Sequence, residues 1–378
     1  MSLYKSVPRK ESPFNKAAFN TFQERIIKIG QIYCKDDTVG MMIEYVVFQT
    51  PLKLSLEDLS FQIKRMITSV DNNLVFIVII FSCIYSEENS QIIAQFVPQL
   101  NTLSLLGSDS IKSVAIQTIG RLLSYEQIEL DQIQWEKIIV NSRNKNTLLL
   151  AIKMLQEGLN SNFNGSKKVI ELCLQIISAN PHDSVIAQEA ILALEYGLLA
   201  LQVFDEEADK TICTLTAIID QNKMLAPSIF RLVYSVLNHF HVRPCVEIVN
   251  KAIELFPTFE VFNKNAFYLI QYGIEDSMIA DLIPYVMKHF EEVDYQTKQA
   301  LMKMILYFFS IKKTNDNIYA ELLKYLIDED ALESFGNKKW FVQTVEEIVE
   351  HFENGFDSEF LSAEEYEIAK DFISTYKI

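Results

Sequence analysis

The stretch "LVFIVIIFSCIY", Leu74–Tyr85, carries no charge and hardly a polar atom. It is either a helix that crosses a bilayer or a helix that other parts of the protein cover. A spanning helix needs about 20 mostly apolar residues. This run has twelve, bounded by "DNN" (Asp71–Asn73) and "SEEN" (Ser86–Asn89). No Lys/Arg cluster flanks it to set an orientation, and it starts too far along the chain to serve as a secretory signal. The expectation is a helix buried by neighbouring protein, and the remaining sequence says which neighbours.

Repetition supplies them. Almost every segment of the chain has apolar residues recurring at three and four, the period of a helix, and alternating strand patterns are scarce. Polar breaks such as "GSDS" (Gly107–Ser110), "NSRNKN" (Asn141–Asn146), "NFNGS" (Asn162–Ser166) and "NPHDS" (Asn180–Ser184) separate the segments and supply caps and stops. The pattern gives roughly eighteen helices joined by short connections. "AIQTIGRLL" from Ala115, "AIKMLQEGL" from Ala151, "AILALEYGL" from Ala190, "SIFRLVYSV" from Ser228, "AFYLIQYGI" from Ala266 and "ALMKMILYF" from Ala300 align without gaps. A small residue opens each, and apolar residues follow at +1, +4 and +8. Gly or Ser stands at +7 in four of them: Gly158, Gly197, Ser235 and Gly273. The openings lie 34 to 39 residues apart, within the range of helical repeats. A less regular helix precedes each, as "KKVIELCLQIISA" precedes Ala190 and "RPCVEIVNKAIELF" precedes Ala266. The opening stretch fits the same frame, with Val75 first, Phe76 at +1, Ile79 at +4, Ser82 at +7 and Cys83 at +8. It reads as an earlier copy of the second helix of a repeat, apolar all round because helices cover both its sides.

These helices resemble those of armadillo/HEAT-type repeat proteins. The resemblance covers about residues 74 to 310, with more degenerate copies reaching to about 36 and 355. It implies an all-α chain folded as a right-handed α-solenoid, an armadillo-type superhelix. Tetratricopeptide repeats, and with them a co-chaperone scaffold, are the competing assignment. "KAIELFP" (Lys251–Pro257) is similar to the end of one, but the Trp-Leu-Gly-Tyr pattern of that family's first helix is missing. The implied organisation is a basic N-terminal arm over residues 1–16, a repeat region over 17–355 and an acidic capping helix over 356–378.

Composition restricts function. The 378 residues include only ten Gly and nine Pro, and the formal net charge is −16. That balance disfavours non-specific nucleic-acid binding, which needs cations to displace counterions from phosphates, and docking on anionic lipid. It suits a basic partner. Cys34, Cys83, Cys173, Cys213 and Cys245 are scattered and form no CxxC pair, which reads as reduced thiols in the cytoplasm or nucleus. "STYKI" at the C-terminus is no prenylation or retention signal, and Ser2 replaces the Gly that myristoylation needs.

In armadillo-type proteins the last helix of each repeat lines a concave groove that binds extended partners. The resemblance therefore directs attention to the second helices. Their core slots cluster on one side, +6 lies almost opposite, and +2 and +3 flank it. Slot +6 is Tyr196, Tyr234 and Tyr272 in three consecutive copies, with Phe230, Arg231, Tyr268 and Leu269 at +2 and +3. Tyr and Arg dominate binding hot spots because they join large contact area to a polar handle. The same tyrosines can equally serve as packing between repeats. Importin-α uses repeated Trp and Asn to clasp basic peptides. Here only Trp135 and Trp340 occur, with no Trp-x-x-x-Asn array, so a nuclear transport adaptor stays an alternative to a plain scaffold.

Three further features complete the reading. The arm "MSLYKSVPRKESPFNK" carries Lys5, Arg9, Lys10 and Lys16. It either stays solvated or folds back on an acidic surface, with Ser12 before Pro13 as a phosphorylation switch. From Glu321 to Ile378 there are fifteen acids and five bases, read as solvated helix faces with Phe360, Tyr366 and Phe372 turned inward. "HFHVRPC" brings His239, His241 and Cys245 close in sequence, but His239 and His241 stand two apart and diverge on a helix, unlike the i, i+4 spacing of helical metal ligands. His182 falls in a turn, and His289 and His351 fall near helix ends. No phosphate loop, nucleophile elbow or paired-carboxylate motif occurs. The expectation is a protein-binding chain with no catalytic residue, metal or cofactor.

Overall fold

The computed structural model describes residues 14–33, 35–48, 50–159, 166–255, 264–274 and 362–376, with single positions between 279 and 350. Among them the regular secondary structure is entirely helical, fifteen α-helices and two 3-10 turns, as the 3.6-residue period requires. The chain divides into two units, Met1–Val203 and Phe204–Ile378. The arm through residue 13, Cys34, Trp340, His351 and Phe360 lie outside the described residues.

The first unit holds α1 (Phe14–Ile32), α2 (Asp37–Phe48), α3 (Leu56–Ile67), α4 (Asn72–Ala94), α5 (Val97–Leu106), α6 (Asp109–Ser124), a 3-10 turn (Leu130–Gln132), α7 (Trp135–Asn141), α8 (Lys145–Leu159), α9 (Ser166–Ala179) and α10 (Ser184–Leu199). The second holds α11 (Glu206–Gln221), a 3-10 turn (Lys223–Leu225), α12 (Ala226–Phe240), α13 (Val246–Leu255), α14 (Lys264–Gly273) and, near the C-terminus, α15 (Ala363–Tyr376). Side-chain caps set several starts: Ser55, Asp71, Asp183 and Asp205 each accept a backbone N–H from the first turn that follows. These bonds satisfy donors that a helix start leaves open. At α15, Ser362 and Glu365 exchange backbone bonds in a capping box.

The opening stretch lies inside a helix longer than its twelve apolar residues. Helix α4 runs Asn72–Ala94 and is long and apolar enough, by length and composition, to cross a membrane. Asn89 leaves the helical conformation, with φ −140° and ψ 53°, so the regular piece is 72–88, short of the ~20 residues that span a bilayer. Every residue from Val75 to Cys83 is buried, because α1, α2, α3 and α6 all pack on α4. Phe22 meets Phe76 edge-on at 5.3 Å, the Arg25 guanidinium sits 3.7 Å over the same ring, and Tyr45 meets Phe81 and Tyr85 at 5.4 Å.

In the first unit the second helices form a row, α4 on α6, α6 on α8 and α8 on α10, while α5 packs on α6, α7 on α8 and α9 on α10. The second unit repeats the scheme on a smaller scale: α12 packs on α14, α11 on α13, and α13 on α14. The core is the seam between the two layers. Slots +1 and +4 are buried in all seven copies, from Phe76 and Ile79 to Leu301 and Met304, none more than 4% exposed. The glycines at +7 explain how closely the layers meet. A Cβ on Gly158 would fall 2.7 Å from a Leu130 methyl, one on Gly197 3.4 Å from Val169, and one on Gly273 2.5 Å from Val249 and 2.9 Å from Pro244. Each of these neighbours belongs to the helix or turn that precedes in the same copy.

Polar bonds link successive helices within each layer at the same period. Ser113 meets Thr147, Lys145 pairs with Asp183, Gln156 donates to Glu189, and the Asn101 side chain donates to the Gln132 carbonyl. Their sequence separations are 34, 38, 33 and 31.

Candidate functional site

The exposed side of the second unit's α12 and α14 carries a row of aromatic rings. Tyr268 and Tyr272 stand one turn apart on α14, so their side chains share a face. Tyr234 occupies the +6 slot of α12. The Tyr234 and Tyr268 rings stack with centroids 5.0 Å apart and planes 21° apart. Tyr268 and Tyr272 continue the stack at 6.4 Å and 25°. Tyr272 is 52% exposed and Tyr268 37%, while Tyr234 is half-buried beneath them. The phenol of Tyr234 is pushed up, first by burial and then by the neighbouring Tyr268 and Tyr272 hydroxyls. Tyr234 therefore stays a neutral donor at physiological pH. The row presents flat π-faces with hydroxyls at their edges, an arrangement suited to a partner's cationic or apolar side chains.

Arg231 is exposed on α12. Tyr196, in the matching slot of α10, is half-buried and belongs to the first unit. Two residues expected beside the row are core instead. Phe230 is among the largest fully buried side chains, and Leu269 is 1% exposed. The +2 and +3 slots flank the outer face, and each helix has one flank covered, +2 on α12 and +3 on α14, while Arg231 at +3 and Tyr268 at +2 stay open. Phe230 therefore cannot touch a partner.

Toward the other end of the register, slot +6 is closed. Phe81 is fully buried and stacks on Tyr85 at 5.0 Å. Arg121, in the same slot of α6, is 1% exposed. Its guanidinium donates to the Cys83 carbonyl of α4 and, at 3.1 Å, to Glu87. Its Nε has no hydrogen-bond partner among the described residues. Glu157, the +6 residue of α8, is half-buried, and its carboxyl is pushed up by that burial. A buried arginine in an apolar helix had no signal in the sequence, because its partner carbonyl lies 38 residues away.

The histidines of "HFHVRPC" do not converge. His239 packs edge-on against Phe240 at 4.8 Å, and His241 ends α12 in the left-handed conformation, φ 56° and ψ 39°. His182 lies in a turn as expected, and His289 bonds Glu292 at 2.7 Å. Cys245 instead meets Cys213 of α11, with sulfurs 3.3 Å apart, and the Glu247 carboxylate completes a cluster whose donor atoms lie within 4.8 Å of one another. The other described cysteines, Cys83 and Cys173, are buried singly, and burial pushes the Cys173 thiol up to about 12, as for an inert core thiol. Trp135 is buried at the start of α7.

No family model matches this chain, and no curated protein matches it.

Proposed function

We propose that the chain is a right-handed α-solenoid of armadillo/HEAT-like repeats. It acts as a non-enzymatic scaffold that binds an extended, basic segment of another protein in the cytoplasm or nucleus. The observation that carries this reading is the stacked, solvent-facing row Tyr234–Tyr268–Tyr272, with Arg231 on the same strip. Three rings held parallel lose little side-chain freedom on binding, which favours them as contact residues. The net charge of −16 draws cationic segments, and tyrosine faces accept Lys or Arg.

The repeat assignment is supported by the two-layer scheme within each unit. It is supported also by polar bonds within each layer, spaced 31 to 38 residues apart, close to the register of the second helices. Tyr196 belongs to the same proposal through its matching slot.

The test is a fluorescence-anisotropy titration of the full chain with extended peptides of equal length, one rich in Arg and Lys, one in Asp and Glu. Binding of the basic peptide, lost when Tyr234, Tyr268 and Tyr272 are all changed to Ala at unchanged helicity, supports the reading. Equal affinity for both peptides, or full affinity in the triple variant, overturns it.

A further inference from the structure

We propose that Cys213, Cys245 and Glu247 form a binding site for a zinc-class divalent ion between α11 and the start of α13. Cys213 lies within α11, Cys245 immediately precedes α13 and Glu247 stands in its first turn. The three donor atoms lie within 4.8 Å of one another. The two sulfurs are 3.3 Å apart, slightly inside the roughly 3.8 Å that two thiolates span on a tetrahedral ion with zinc–sulfur bonds of about 2.3 Å. A small side-chain rotation makes up that difference. Two thiolates select borderline or soft ions over magnesium or calcium, which prefer all-oxygen sites. Both cysteines are half-buried and Glu247 is exposed, so the ion sits at the surface with its remaining position toward water.

The alternative use of such a pair is as a reactive nucleophile. Burial, and secondarily the adjacent Cys213, push the Cys245 thiol up to about 12. The raised Cys245 thiol is opposite to what a reactive thiolate requires. Ion binding balances as one divalent cation taken up and two thiol protons released to solvent, with no change of oxidation state. The framework for the site is already held. Lys251 of α13 pairs with Asp220 of α11 at 2.7 Å, which fixes the same two helices about two turns from the cluster. The spacing Cys-x31-Cys-x-Glu gives no local motif, because the first ligand comes from the preceding copy.

The experiment is a cobalt(II) titration of the fully reduced, full-length protein under anaerobic conditions, read by the thiolate-to-cobalt charge-transfer band and followed by zinc displacement. One equivalent should develop the band, and zinc should abolish it. The band should be absent in Cys213→Ser and Cys245→Ser, and affinity should fall about tenfold or more in Glu247→Gln, the range expected when a metal site loses a supporting group. Glu247 is exposed, so its variant keeps the test valid even if a serine variant fails to fold. No band in the reduced wild type, a band that survives both serine substitutions, or a Glu247→Gln variant with unaltered affinity would each overturn the site. So would formation of a Cys213–Cys245 disulfide in air by a protein that, once reduced, gives no band.

Discussion

Slot +6 of the second helix differs between the first such helices of the first unit and those of the second unit. In α4 and α6 of the first it holds Phe81 and Arg121, both buried. In α12 and α14 of the second it holds Tyr234, half-buried, and Tyr272, open to solvent. The helical register is the same, and the difference lies in what sits above it. Helices α1, α2 and α3 pack on α4, and α1 also reaches α6. Spacing along one helix tells which side turns away from its own core. It does not tell whether another element lies on that side.

The largest effect expected is on Arg121. Changing it to Ala removes a buried side chain and its bonds to Cys83 and Glu87, and should cost about 3 kcal/mol, the low end for breaking a buried pair, because Glu87 can take up water. Arg121→Met should recover most of that loss by refilling the volume. Tyr272→Ala in the same slot of α14 should cost under about 1 kcal/mol, no more than one exposed ring stack. Urea denaturation of the three variants gives the comparison, and equal losses for Arg121→Ala and Tyr272→Ala would remove the distinction.

The +7 glycines come next. Gly273→Ala drives a methyl against Val249 and the rigid Pro244 ring and should cost about 2 kcal/mol, as overpacking does. Gly197→Ala meets Val169 only at ordinary contact distance. It should be neutral or gain up to ~1 kcal/mol of helix propensity. Thermal melts that rank the two the other way would show that the layers approach differently.

His241 offers a smaller effect. A side chain in the left-handed region is strained where glycine is not. His241→Gly should stabilise the second unit by roughly 0.5 kcal/mol after glycine's added freedom in the unfolded chain is counted, seen as a small rise in the denaturation midpoint.

The smallest concerns pH. Lys324 at 2.9 Å, followed by the Ser362 backbone and hydroxyl, holds the Glu365 carboxyl near 2 against its ordinary 4.5. A depressed carboxyl stabilises the fold above its unfolded pKa, and that contribution disappears as pH falls from about 4.5 through about 2. The pair lies near the surface, with Lys324 45% and Glu365 30% exposed, so solvent screening keeps the contribution small. The stability difference between wild type and Glu365→Gln should be present at pH 7, shrink below about pH 4.5 and close only near about pH 2. A difference independent of pH would contradict the assignment.

Much of the fold could be read from the chain because helical period and core register are local properties. Val75, Ala115, Ala151, Ala190 and Ala266 open their frames at the buried seam, and Gly158, Gly197 and Gly273 stand where the preceding helix or turn presses closest. Contacts one repeat apart were not readable. Arg121 looks like an ordinary outer-face arginine until α4 supplies the Cys83 carbonyl, and Phe230 looks peripheral until one flank of α12 is covered. Cys213 and Cys245 look scattered until α11 meets α13. For the site itself, sequence spacing placed Tyr234 and Tyr272 in one slot. The parallel stacking through Tyr268 depends on the distance between α12 and α14, which no pattern within a helix encodes.

The most direct test of the account is paired affinity capture from the native cell, with wild type and the Tyr234/Tyr268/Tyr272→Ala variant as baits and the denaturation midpoint of each recorded alongside. The account predicts nearly equal midpoints and the loss, from the variant alone, of a partner that binds through a basic segment. A variant that unfolds, or that retains every partner at wild-type yield, would mean that the row is packing and that the binding surface lies elsewhere.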